Sequence, residues 1–453
     1  MQLTDIKTAY FLGIGGIGMS ALARYLHSKG INVSGYDKTK TPLTEALVTE
    51  GIPVHYQADF SAISATTDVV VYTPAIPSDF QEWEQIRNLE LPTIKRSAML
   101  AMVVNSLQAF AVAGTHGKTT VSAMLAHCLS ELHEPFLGFV GGVLSKYNTN
   151  VFVNTGATWA VAEADEYDRS FLTLKPYISI INAVDADHLD IYGSSTALED
   201  SFSEFAFQTS TKGKVLVCTD INSSILKLPS NTLFFGIDNK NGYSANNIRI
   251  ENEHFVFDIL LSGNKLYSAL TMPVAGRHNV KNALAAFAAL HLAGFNADQV
   301  AQAIQSYPGV KRRLELIAKT NELVYYDDYA HHPAEIAALL ETIRSLHPGK
   351  PITAIFQPHL FSRTRDFGVE FADILSKFDY PIITDIYPAR EKPIPGIDAQ
   401  WLLAQIINPQ KKHLRFENIG NLDTQNIKGV LLSIGAGDID THIETLKNRI
   451  LKP

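Results

Sequence analysis

Short apolar runs recur at residues 8–14, 32–36 and 68–72, with segments of helix-like spacing between them. The alternation returns at 109–113, 159–162, 177–182 and 214–218, and again at 323–327, 352–356, 382–386 and 430–434. Continuous apolar runs, each followed by a helical segment, predict parallel strands buried on both faces, which is α/β architecture. Helices are expected near 19–29, 99–107, 279–292 and 298–306, with another opening at Pro333. The stretch 247–273 alternates like an antiparallel ribbon and is read as an insertion. A helix ending at 107 just before a new strand sets one boundary. The Pro308-Gly309 break and the basic linker Lys311-Arg312-Arg313 set the second. Three α/β domains result, at 1–107, 108–310 and 311–453.

Composition narrows the class. At roughly 100–200 residues per domain, 453 residues suit that count. Lys+Arg 38 against Asp+Glu 46 gives a net charge of −8, so nucleic acid is not an expected partner. Cys128 and Cys218 sit in apolar segments and read as buried thiols rather than a disulfide or zinc set. The longest strictly apolar helical stretch, 283–290, falls far short of the roughly 20 residues that span a bilayer. The first apolar run passes straight into glycines, unlike a secretory leader, so no membrane partner and a cytoplasmic location are expected. Monomer and homodimer both stay open.

Two loops carry phosphate chemistry. Gly13-Ile14-Gly15-Gly16-Ile17-Gly18 lies between a strand and a helix, with Asp37 nineteen residues beyond Gly18. Such a turn lets backbone amides approach a diphosphate at a helix N-terminus; a plain tight turn is the alternative, and NAD would be the default ligand. Gly114-Thr115-His116-Gly117-Lys118-Thr119-Thr120 is a second strand-to-helix loop. Its amides and the Lys118 ammonium suit the terminal phosphates of a nucleoside triphosphate, with Thr119 placed as a Mg²⁺ ligand. Val112 stands where the full motif has its first glycine. Further on, Glu163, Asp165, Glu166 and Asp168 crowd six positions at a strand end, where mutual repulsion calls for a cation or for solvent. His188, between Asp187 and Asp190, is either a metal or phosphate contact or a core hydrogen-bonding group.

Later constellations add polar groups at strand ends. Asn279 and Asn282 open the Ala-rich helix, where Asn279 reads as its N-cap and the pair could also read an adenine edge. Tyr326-Asp327-Asp328-Tyr329-Ala330-His331-His332-Pro333 ends a strand, with Glu335 suited to the helix N-terminus. Gln357-Pro358-His359, with Arg363 and Arg365, forms an anion site or a solvated surface.

In this order the motifs, closed by Ile434-Gly435-Ala436-Gly437-Asp438, resemble those of the Mur ligases over nearly the whole chain. The resemblance implies a Rossmann-like UDP-binding domain, a central P-loop ATPase-type domain and a Rossmann-like C-terminal domain that swings to close the site. It implies an ATP- and Mg²⁺-dependent ligase joining L-alanine to the lactyl carboxylate of UDP-N-acetylmuramate through an acyl phosphate, for peptidoglycan precursors. Gly15, Gly16, Ile17, Gly18 and Asp37 would then hold the UDP-sugar. Gly114, Thr115, His116, Gly117, Lys118, Thr119 and Thr120 would hold ATP, Asn279 and Asn282 its adenine, and Arg313 and Asp328 would reach the nucleotide. Thr119, Glu163 and His188 would ligate magnesium, and Lys118, His188, His331, His359 and Arg363 would carry the chemistry, the last two also holding the amino acid.

Three features depart from the family pattern. Leu360 replaces an arginine common after Gln-Pro-His, Tyr167 a serine, and no lysine between Tyr192 and Lys212 could be carbamylated to bridge metals. Rival readings are a ligase that recycles a ready-made tripeptide, an NAD(P)-dependent oxidoreductase and a P-loop regulatory NTPase.

Overall fold

The computed structural model describes residues 3–73, 76–167, 169–185, 192–389 and 391–452. The first sheet holds β1 (Thr8–Leu12), β2 (Asn32–Tyr36), β3 (Val54–His55), β4 (Val69–Tyr72) and β5 (Thr93–Lys95), in the order β3-β2-β1-β4-β5. Each of its four pairings is parallel. The chain builds outward from β1 on one side and then on the other, so the loop after β1 lies at the switch in strand order. That is where open α/β sheets place ligands.

The second sheet holds β6 (Gln108–Ala113), β7 (Phe136–Leu144), β8 (Thr149–Val153), β9 (Trp159–Glu163) and β10 (Ile178–Ile181). It continues through β11 (Lys214–Cys218), β12 (Thr232–Ile237), β13 (Tyr243–Glu251), β14 (His254–Leu261) and β15 (Asn264–Met272). The order is β15-β14-β13-β12-β11-β10-β6-β9-β7-β8. β6 lies between β10 and β9, parallel to both. Phe110, Val112, Val161 and Ile180 are fully buried, and each contributes about 1.5–3 kcal/mol by leaving water. The residues expected as an inserted ribbon instead extend this sheet, because β13 pairs in parallel with β12. Local alternation reports a half-buried strand but not which sheet accepts it.

The third sheet holds β16 (Glu315–Lys319), β17 (Leu323–Asp328), β18 (Ile352–Phe356), β19 (Tyr380–Ile383), β20 (Lys412–His413) and β21 (Gly429–Ile434). Its order is β16-β17-β21-β18-β19-β20. β17, β21 and β18 run parallel side by side, so the loops after all three open at one sheet end.

Packing groups residues 1–248, 256–272 and 280–308 into one compact unit, and 249–255, 273–279 and 309–453 into another. The first two sheets therefore share a unit, although the chain pattern separated them at residue 107. Helix Ile17–Ser28 explains this, since Tyr25 packs edge-on against Phe139 of β7 with ring centroids 5.8 Å apart. Asn150 of β8, 1% exposed, donates from Nδ2 to the Ile17 carbonyl at 2.9 Å. Asn150→Ala is expected to cost about 1 kcal/mol in urea denaturation, because the buried amide and its part-buried hydrogen bond to the Ile17 carbonyl are lost. An unchanged midpoint would show that water replaces that bond.

Cys128 and Cys218 are buried free thiols, and burial pushes both up. Among the described residues, no helix is long and apolar enough to cross a membrane.

Candidate active site

β6 delivers the chain into the turn 114–117, and helix Lys118–Glu131 leaves it. Gly114 at φ +134° and Gly117 at φ +84° occupy backbone that side chains disfavour. A Cβ at Gly117 would also lie 2.0 Å from Asn182 Nδ2 and 2.7 Å from Asn282 Oδ1. The first-turn amides of this helix, Thr119 and Thr120 included, have no carbonyl partner within the helix, so they suit an anion. Lys118 Nζ donates to the Gly114 carbonyl at 2.7 Å and to both Glu166 oxygens at 2.9 Å. Glu166 is fully buried; burial raises its pKa and the Lys118 charge opposes that rise. Thr115 Oγ1 donates to Asp185 Oδ2 at 3.1 Å, and His116 Nε2 lies 3.6 Å from the same oxygen.

Glu163 ends β9 beside this loop. Its Oε1 accepts from Gly141 N at 2.6 Å and Ser122 Oγ at 3.1 Å, while Oε2 has no hydrogen-bond donor among the described residues. A fixed carboxylate with one open oxygen, together with the Thr119 hydroxyl, is the hard-oxygen donor set that suits Mg²⁺. His188, with Asp187 and Asp190, lies outside the described residues, as does Asp168. No cluster of three or more His, Cys, Asp or Glu suited to a metal occurs among the described residues.

Helix Arg277–Leu292 begins at Arg277, so Asn279 is within its first turn and does not cap it. Asn279 instead donates from Nδ2 back to the Ala275 carbonyl at 2.7 Å. Asn282 reaches the phosphate loop through Asn182, whose Nδ2 donates to Asn282 Oδ1 and to the His116 carbonyl, both at 3.0 Å. Asn182 is thus a clamp on the loop that residue type alone did not single out.

In the N-terminal glycine loop, Gly13 and Ile14 donate to the Tyr36 carbonyl, and Gly16 precedes the helix Ile17–Ser28. Gly15 N donates to Asp37 Oδ2 at 2.8 Å, and a Cβ at Gly15 would lie 2.7 Å from that oxygen. Asp37 therefore sits on the loop itself. The amides of Ile17 and Gly18 belong to the first helical turn. Nearby, a small open cleft is lined by Arg96, Ser97, Leu100, Glu163, Asp165 and Phe171, among others.

The second unit gathers its own cluster. His331 Nδ1 donates to the Tyr329 carbonyl at 2.9 Å, which leaves Nε2 as the acceptor nitrogen. Burial lowers its pKa, which favours the neutral ring. The His331 and His359 rings lie 6.0 Å apart. Arg363 Nη1 donates to His359 Nδ1 at 3.2 Å, and His359 stacks on Tyr387. Arg313 and Arg312 both lie over the Tyr329 ring, at 5.3 and 5.2 Å. Asp328 accepts from Leu314 N at 2.7 Å and Ala330 N at 2.8 Å, so its carboxylate braces two loop segments. His332 caps helix Pro333–Leu346, with Glu335 completing the capping box.

Arg312, read as linker, is a hub of this cluster: it binds buried Asp327 at 3.1 Å and the carbonyls of Gly435 at 2.6 Å and Gly437 at 3.1 Å. Leu360 stands at φ +71°, a strained position for a branched side chain, held by Leu360 N to the Tyr387 carbonyl at 2.9 Å. Strained backbone of this kind concentrates at working sites.

Three family models match the chain: "Mur ligase family, catalytic domain" over residues 8–107, "Mur ligase middle domain" over 112–290, and "Mur ligase, glutamate ligase domain" over 312–438. A UDP-N-acetylmuramate–L-alanine ligase of Flavobacterium johnsoniae is 42% identical over 99% of both chains. One of Christiangramia forsetii is 43% identical over the same shares. The crystal structure of a UDP-N-acetylmuramate–alanine ligase from Thermotoga maritima superposes with a TM-score of 0.84, covering 98% of both chains at 27% identity.

Proposed function

The chain belongs to the Mur ligase family, and on that premise we infer that it joins L-alanine to the lactyl carboxylate of UDP-N-acetylmuramate with hydrolysis of ATP to ADP and phosphate. The observation that carries the ATP half is the glycine-dependent turn 114–117 closed by Lys118, beside the fixed carboxylate of Glu163. The choice of alanine over a tripeptide is supported by full-length relatives of that activity at above 40% identity. We assign UDP-sugar binding to 1–107, ATP and Mg²⁺ to 108–310 and the amino acid to 311–453, in a cytoplasmic enzyme.

A lactyl oxygen attacks the γ-phosphorus, the bond to the β-phosphate oxygen breaks, and ADP leaves. The alanine nitrogen then attacks the acyl carbon, loses its proton, and the tetrahedral centre expels phosphate. Both steps concentrate negative charge on phosphoryl and acyl oxygens, so positive groups rather than a protein nucleophile lower the barriers. Lys118 and the first-turn amides of its helix hold the transferring phosphoryl group. Thr119 and Glu163, with His188, would hold Mg²⁺, which when bound neutralises phosphate charge. Neutral His331 offers Nε2 as an acceptor for the amine proton, and His359 with Arg363 holds the amino-acid carboxylate. Asn279 and Asn282 contact adenine, and Arg313 and Asp328 shape the loop that meets the nucleotide.

Phosphate release from ATP tests this, with UDP-N-acetylmuramate and L-alanine each omitted in turn. Release that needs both, with an amide of the expected mass, is the expected result. Release with a tripeptide but not with alanine would replace the reading by the recycling ligase. Release without the sugar nucleotide would replace it by an NTPase switch, and NAD(P)H oxidation by an oxidoreductase.

A further inference from the structure

Two cations from two different loops meet neighbouring acids. Glu166 holds Lys118 of the phosphate loop at 2.9 Å, and the preceding residue, Asp165, faces Arg96, Nη2 to Oδ2 3.8 Å. Arg96 opens helix Arg96–Val104 directly after β5, at the same end of the first sheet as the glycine loop. Its guanidinium lies against that loop, for a Cβ at Gly18 would come within 3.0 Å of Nη1. The missing side chain of Gly18 is what lets the cation approach the opening turn of helix Ile17–Ser28.

A guanidinium carries five N–H donors in a fork that matches paired phosphate oxygens. Among the described residues, the Arg96 fork has Asp165 as its one partner, at a separation too long for a hydrogen bond. The side chain is only 27% exposed. A partly buried cation that makes no hydrogen bond among the described residues, beside helix-opening amides that also seek an anion, marks where a doubly charged group binds. Asp165 supplies a weak interim counter-charge. Its own turn does not depend on Arg96: Oδ1 accepts from Tyr167 N at 3.2 Å and its carbonyl from Phe171 N.

We propose that Arg96 is a ligand of the diphosphate of the UDP-sugar, and that Asp165 holds its guanidinium at the glycine loop until the diphosphate displaces it. This rests on the reading above that residues 13–18 take that substrate. Binding exchanges one long ion pair for charge-assisted hydrogen bonds, and the acid is left to solvent. The glycine-loop pattern alone would not find this residue, because Arg96 is far from it in sequence and is brought near by β5 pairing with β4.

Calorimetry with uridine and UDP on the full-length protein tests the proposal. Arg96→Ala should weaken UDP about 30-fold and uridine less than about twofold, since only the diphosphate contact is lost. Arg96→Lys should fall between, because it keeps the charge without the fork. Asp165→Asn preserves the Oδ1 turn and should leave UDP binding equal or up to about threefold tighter. An unchanged UDP-to-uridine ratio in Arg96→Ala, or equal losses for both ligands, overturns the role of Arg96. Weakening in Asp165→Asn comparable to that of Arg96→Ala overturns the placeholder role of Asp165. A wild-type protein that binds neither UDP nor UDP-N-acetylmuramate better than uridine overturns the substrate reading itself. A wild-type preference that survives in Arg96→Ala overturns only the role of Arg96.

Discussion

Lys118→Ala is expected to lower kcat for ligation by about 10³-fold while changing the affinity for UDP-N-acetylmuramate less than about twofold. The ammonium lies in the phosphate loop and would meet the transferring phosphoryl group, whereas the sugar nucleotide is assigned to the first sheet. The substitution has a second, separable effect on stability. Lys118 is the cation that opposes the burial of Glu166, whose pKa already lies above the ordinary carboxylate value. Without it that pKa rises further. A carboxyl with a higher pKa folded than unfolded binds its proton more tightly in the native state, so stability is lost as pH rises through the folded value. Denaturant midpoints of Lys118→Ala should therefore fall relative to wild type more at about pH 8 than at about pH 5. Lys118→Ala/Glu166→Gln should recover that alkaline loss and remain inactive. Ligation by either variant would remove Lys118 from the mechanism, and a pH-independent stability loss would remove Glu166 from the account of it.

That pairing shows what the chain pattern could and could not carry. The strand-to-helix setting of Gly117 and Lys118 was legible because turn geometry is local: a glycine at positive φ, a helix start and an apolar strand lie within one short segment. The partner of Lys118 was not. Glu166 stood as one of four acids with no means to tell which binds metal, which holds lysine and which meets solvent. Burial separates them, since Glu166 is fully buried, while Glu163 is partly exposed with one oxygen open. Arg312 shows the same limit: three consecutive basic residues read as a linker, yet the middle one crosses to Asp327 and Gly435. Strand order brings residues 312, 327 and 435 together, and strand order is non-local information. The cap reading of Asn279 failed by three positions because Gly276, at φ +109°, lets the helix begin earlier. Four strands of the third sheet, by contrast, were readable, though its edge strands β16 and β20 were not, and its three adjacent parallel members explain why motifs far apart in sequence converge.

Gly141→Ala is expected to raise the Mg²⁺ concentration for half-maximal activity by about 10–100-fold, although Gly141 is assigned no contact with substrate or metal. Its amide holds Glu163 Oε1 at 2.6 Å, and a Cβ there would lie 2.6 Å from Oε1 and 2.5 Å from Oε2. The new methyl group needs no unusual backbone, and the obstructing atoms are the end of one flexible side chain, so the carboxylate gives way and the fold stays. Thermal stability should then match wild type, UDP binding measured without metal should be unchanged, and added Mg²⁺ should restore much of kcat. Glu163→Gln should show a larger loss that Mg²⁺ does not restore, since the charge itself is gone. Ser122→Ala, which removes only the 3.1 Å bond to Oε1, should fall between wild type and Gly141→Ala. If Gly141→Ala keeps the wild-type Mg²⁺ dependence, Glu163 is not the magnesium carboxylate and the assignment passes to the other acids of its loop.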